Sequence, residues 1–132
     1  MLKRAFLFLA LALAACGAAG PPGDAGRGQK LFTGETPIAD GSVQTCLSCH
    51  PVDPGQNSPI GNNLSNIGLR AGRTVPEQSA EEYLRTAILS PDAYLSGGFQ
   101  EGIMYRQYRQ VLTPQQISDL VAYMLTLRSG QD

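Results

Sequence analysis

One histidine and three cysteines are all the imidazole and thiol that the 132 residues carry. That scarcity excludes a second histidine acting as an acid or base, and it is too little for an ordinary four-ligand zinc site. Positive charge is also scarce. Ten basic residues face eleven acidic ones and form no stripe, so a nucleic-acid partner is not expected. No period-two alternation marks a strand and no internal repeat is present. Beyond residue 14, no segment is long or apolar enough to span a bilayer. With 42% hydrophobic residues the chain is still too apolar to remain disordered, and its length suits one domain.

What is there begins with Lys3 and Arg4, followed by an unbroken apolar run from Ala5 to Ala14. Ten residues rise about 15 Å as a helix, half the roughly 30 Å of a bilayer core. The run therefore reads as a cleaved export signal, residues 1–15. Leu13, Ala14, Ala15 and Cys16 resemble the lipobox of bacterial lipoproteins, in which the cysteine becomes a lipid-bearing N-terminus. A lipid on Cys16 would anchor the protein to a membrane without crossing it, facing the periplasm or the cell exterior. Loss of Lys3 and Arg4 would leave 8 basic against 11 acidic residues, a charge of −3. Residues 16–24 are small, Pro and Gly, and are expected to be a flexible tether. The folded unit is then 25–132.

Within that unit the patterns are helical. Gly28, Leu31 and Phe32 share helical spacing over residues 25–33. Gly34 to Val43 and Pro51 to Gly61 read as loops. Ser79 with Glu82 forms a capping box opening a helix whose apolar face is Tyr83, Leu84, Ala87 and Ile88, stopped by Pro91. Residues 92–112 are interrupted by glycine and read as mostly irregular. Thr113 with Gln116 forms a second capping box, with Pro114 at the first helical position. Ile117, Leu120, Val121, Met124 and Leu125 line one face behind it, and Gly130 follows. The fold class is all-α.

The chemistry lies in the run CLSCH. Two thiols two residues apart on a helical turn can add to the two vinyl groups of one haem, and the next histidine can reach its iron. Cys46, Cys49 and His50 are the candidates. A thioredoxin-like dithiol would need a strand beside the motif, and a structural disulfide gives His50 no role. An electron-transfer haem also needs its sixth position filled, and a thioether there raises the potential. Met124 falls on the apolar stripe of the last helix, where it should pack in the core. Met104 falls in irregular chain, which can deliver sulfur to iron, and is the expected ligand.

With these residues in place, the stretch 25–128 resembles the class I c-type cytochromes. GQKLF (28–32) is similar to their N-terminal helix and LTPQQISDLVAYMLTL (112–127) to their C-terminal helix. The resemblance implies a small cytochrome c fold in which those helices cross, Gly28 and Phe32 meet Leu120 and Tyr123, and loops wrap one covalent haem c. GNNLSNIGLRAG (61–72) resembles the family's loop GPxLxGIxxRAG, whose carbonyl orients the proximal histidine. Asn62 replaces the proline there, keeping the carbonyl and loosening the loop. Arg70 matches a basic residue near a haem propionate. Tyr105, where a proline commonly follows the methionine, is placed at the haem edge.

The expected function is a membrane-tethered carrier of single electrons between respiratory or photosynthetic donor and acceptor proteins bound to the membrane. It would be a monomer or a subunit of a larger complex, and not itself an enzyme. The alternative is a haem protein with an open sixth site that binds peroxide, sulfur compounds or a gas. A non-haem dithiol or metal module is a third reading.

Overall fold

The structure, a computed structural model, describes residues 20–130. The export signal and Cys16 lie outside the described residues. Five α-helices follow in order: α1 Ala25–Thr33, α2 Ile67–Thr74, α3 Ala80–Leu89, α4 Tyr108–Val111 and α5 Pro114–Thr126. Short 3-10 turns cover Ala39–Gly41, Cys46–Ser48 and Pro91–Ala93. Among the described residues the only β-pairing is an isolated bridge between Ile38 and Val43. None of the described helices is long and apolar enough to cross a membrane.

Local chemistry sets the helix ends. The Asp24 carboxylate accepts from the Arg27 backbone N–H to open α1, and left-handed Gly34 closes it by donating to Lys30 O. Both expected capping boxes are formed, Ser79 with Glu82 and Thr113 with Gln116. Each satisfies two backbone N–H donors with side-chain acceptors, which is why α3 and α5 start where the sequence places them.

α1 and α5 cross with their backbones close together at Gly28. A Cβ added to Gly28 would stand 1.9 Å from the Asp119 carbonyl oxygen, so only hydrogen fits between the two backbones. One turn on, the Phe32 and Tyr123 rings meet with centroids 5.3 Å apart, and Phe32, Leu31 and Leu120 are buried. These aromatic and aliphatic contacts hold the crossing through apolar burial and ring packing.

Two sequence expectations change here. The stretch 61–72 was expected to be loop, yet Ile67–Thr74 is helix α2. Gly68 and Gly72 disguise it, but Ile67 and Ala71, four apart, are buried together. Its start is tied to the chain after α5 by Gly68 N–H donating to Leu127 O at 2.8 Å. Tertiary packing thus outweighs two glycines' poor propensity. The irregular stretch 92–112 likewise contains the short helix α4, whose Tyr108 is buried.

The ordered contacts of the N-terminal arm begin earlier than the expected tether allows. Gln115 Nε2 donates to Pro22 O at 2.8 Å, and Gly23 packs against the Ser118 backbone. Small residues let this arm lie flat on α5. Buried Asp119 fixes it: its carboxylate accepts from Asp24 N–H at 2.7 Å, from Arg27 Nε and Nη2 at 2.8 and 2.9 Å, and from Gln115 Nε2 at 2.9 Å.

The Arg27 hydrogen bonds lower the Asp119 pKa; burial opposes them, and the Asp24 and Gln115 bonds add to the lowering. Because the folded value lies below the unfolded one near 3.9, the stabilisation is full above that pH. It is lost as pH falls through the folded value. Asp119→Asn should cost about 2 kcal/mol at pH 7. Thermal melts of the two proteins should differ clearly at pH 7 and converge below about pH 3. A gap that persists undiminished into acid would contradict this origin.

Candidate functional site

The 3-10 turn at Cys46–Ser48 presents both thiols and the imidazole from one short segment. Cys49 and His50 backbone N–H groups both donate to Cys46 O, at 3.1 and 2.9 Å. Gly61 makes room for the result, since a Cβ there would stand 2.6 Å from Cys49 O and 2.9 Å from the His50 ring. Sequence spacing and a neighbouring glycine together let the imidazole lie against the 61–64 loop.

His50 Nδ1 lies 2.9 Å from the Asn62 carbonyl oxygen. A carbonyl only accepts, so Nδ1 carries the proton and Nε2 keeps its lone pair. Burial lowers the His50 pKa; the Asn62 bond opposes this and the positive charge of Arg70 adds to it. A neutral ring with an oriented Nε2 is the form that binds a metal.

The residue standing in the family's proline position therefore supplies the expected carbonyl. It also does something a proline cannot. The Asn62 side chain donates from Nδ2 to Ser96 Oγ at 2.8 Å, joining the 61–64 loop to the chain beyond α3.

Two adjoining clefts share Cys46, His50, Ile60, Ile103, Met104 and Tyr108. The first, about 1030 Å³ including its open mouth, runs inward over Phe32, Leu84, Ile88, Leu120 and Met124. The second adds Cys49 and Tyr105. Met104 is partly buried, and Met124 belongs to the core as expected. Tyr105 stands edge-on to Tyr108, with centroids 5.1 Å apart. The lining is that of a pocket for a large apolar group with a few fixed polar ends.

Arg70 stands outside both cleft linings. Its Nε donates to Asn66 Oδ1 at 2.9 Å and its Nη2 to Asn63 O at 2.7 Å. It braces the loop that holds His50. Tyr108 and Ser96 are site residues that sequence reasoning missed, as is the bond from the Asn62 side chain to Ser96. Tyr108 is buried against the thiols, and burial first, then the neighbouring Cys46 and Cys49, raise its phenol pKa. Only the aromatic spacing of Tyr105 and Tyr108 signalled it beforehand.

The geometry also weighs on the other readings of the cysteines. Cys46 and Cys49 are free thiols, and burial pushes the Cys46 pKa up to about 11. A redox dithiol needs the opposite shift, toward thiolate. Among the described residues no three His, Cys, Asp or Glu side chains converge as a metal cage. Two free thiols beside an oriented imidazole on a large apolar cleft fit a covalent porphyrin.

A cytochrome c family model matches residues 25–128. The chain belongs to the cytochrome c family. It is a class I c-type cytochrome: a haem electron-transfer protein with covalently bound haem c and its iron. Among solved structures, SoxXA from P. pantotrophus aligns at 22% identity over 83% of this chain and 85% of that one, with a TM-score of 0.48. Comparison with curated proteins gave no match.

Proposed function

We propose that this cytochrome is a single-haem electron carrier held at a membrane by lipid on Cys16, and that it is not an enzyme. The observation that carries the carrier reading is the pairing of an oriented His50 with Met104 on one cleft. Cys46 and Cys49 would hold the haem through thioether bonds, and His50 Nε2 and the Met104 sulfur would be the two protein ligands to its iron. The haem supplies a reversible one-electron couple. The chain supplies a fixed imidazole, a sulfur on a loop and an apolar lining that keeps water from the iron. Tyr105 covers an edge of the cleft, and Arg70 serves the site through the 61–66 loop, close enough for its charge to be felt at His50.

With His50 and Met104 both holding iron, no open site would be left for peroxide or a gas, and the chain has no second histidine for distal acid–base work. This favours the carrier over the open-site alternative. The apolar run and lipobox of residues 1–16 support an exported protein, facing the periplasm or cell exterior and exchanging electrons with membrane-bound donors and acceptors. The anchor raises the carrier's effective concentration near them. The same chemistry serves a free shuttle and a subunit of a larger complex.

Redox titration of the purified protein should give one wave with a one-electron slope. In cells, Cys16→Ser should move the haem protein from the membrane fraction to the soluble one, with the visible spectrum unchanged. A Cys16→Ser protein that stays with the membrane would sink the lipid anchor, and a multi-electron wave would sink the single-haem carrier.

A further inference from the structure

Met104 sits on a stretch without regular structure between the Pro91–Ala93 turn and α4. A ligand on such a chain exchanges readily unless something restrains it, since a free segment gains conformational entropy when the sulfur leaves iron. One side chain supplies the restraint. Asp92 Oδ1 accepts from the Gly102 backbone N–H at 2.9 Å, and Asp92 Oδ2 pairs with Arg106 Nε at 2.5 Å. Gly102 and Arg106 stand two residues before and two residues after Met104. Gly102 has a left-handed backbone, φ 79°, so the chain turns there toward the carboxylate.

Asp92 is itself well fixed. It follows directly on Pro91, which ends α3, and α3 is seated in the core through Tyr83, Leu84 and Ile88. Its side chain is only 25% exposed. The path from core to sulfur is thus short: α3, then the two oxygens of Asp92, then the five residues 102–106 closed over them. We propose that Asp92, with Arg106 as its counter-charge, is the positioning residue that holds Met104 in place as sixth ligand. The inference rests on the reading of Met104 as that ligand.

Asp92 touches neither haem nor sulfur, so its effect should show in how easily the sulfur is displaced. Imidazole added to the ferric holoprotein competes with Met104 for iron. Asp92→Ala should raise imidazole affinity about tenfold, allowing for the partial exposure of the pair. The far-red sulfur-to-ferric-iron band should weaken in parallel. Asp92→Asn keeps an acceptor for Gly102 and loses the charge, and Arg106→Gln keeps the Gly102 bond; both should fall between wild type and Asp92→Ala. Rising ionic strength should raise imidazole affinity in the wild type more than in Arg106→Gln, because the ion pair is screened.

A purely structural role would lower the melting temperature and leave imidazole affinity within about twofold of wild type, and that result overturns the proposal. If Asp92→Ala does not fold, Arg106→Gln and the salt series decide in the same way. A wild-type protein with no far-red band, and with imidazole affinity matching Met104→Ala, would overturn the ligand assignment and this inference with it. A wild-type band with an unresponsive Asp92 series would overturn this inference alone.

Discussion

Replacing Met104 by Ala should abolish the far-red sulfur-to-ferric-iron band and open the iron to carbon monoxide when reduced. Met104 faces both clefts, and the other methionine near the iron site, Met124, is 6% exposed in the core. Met124 is seated on the buried face of α5 with Leu120 and Val121, so replacing the lost sulfur would require unpacking that helix. No histidine other than His50 is available to substitute. A thioether opposite imidazole favours ferrous iron, so its loss should lower the reduction potential by on the order of 100 mV or more. Potentiometry and the ferrous carbon monoxide spectrum check both parts. A variant with wild-type potential and no carbon monoxide binding would show that another group fills the sixth position.

Gly28→Leu should cost the protein about 3 kcal/mol or more, because overpacking at a backbone crossing cannot be relieved by a rotamer change. Even a methyl at this position would meet Asp119 O at 1.9 Å, the Asp119 carbonyl carbon at 2.5 Å and Tyr123 Cβ at 2.9 Å. Two of these three are main-chain atoms of α5, so the helices themselves must separate. Separation would loosen the Phe32–Tyr123 contact and pull Arg27 from Asp119. For a domain of this size the melting temperature should fall by roughly 10 °C or more. An unchanged melting temperature would refute the close crossing.

The parts of the fold legible in the sequence were those written in short-range chemistry. Capping boxes at Ser79 and Thr113, Pro91 as a stop and the spacing of CLSCH each act over four or five residues, and each is realised as read. The crossing of α1 and α5 followed from Gly28 through family resemblance. What escaped was decided by long-range contact. α2 carries two glycines and is stabilised by packing on the end of α5, which no local pattern reveals.

The same holds at the site. Asn62 reads in sequence as a weakened proline position, because its partner Ser96 lies 34 residues away. Asp92 reads as a turn residue, because Gly102 and Arg106 are reached only once the chain folds back. The arm from Gly20 to Gly23 reads as a tether, since small residues look alike whether free or pressed flat on a helix. In each case polar side chains bridge segments whose proximity depends on the completed fold.

The most direct test of the central claim is the mass of the acid-denatured protein, purified from cells with working cytochrome maturation. Thioether bonds from Cys46 and Cys49 survive denaturation, so the polypeptide should carry the added mass of one haem, and Cys46→Ser with Cys49→Ser should abolish it. A wild-type chain that emerges colourless, at the mass of polypeptide without haem, would contradict the account.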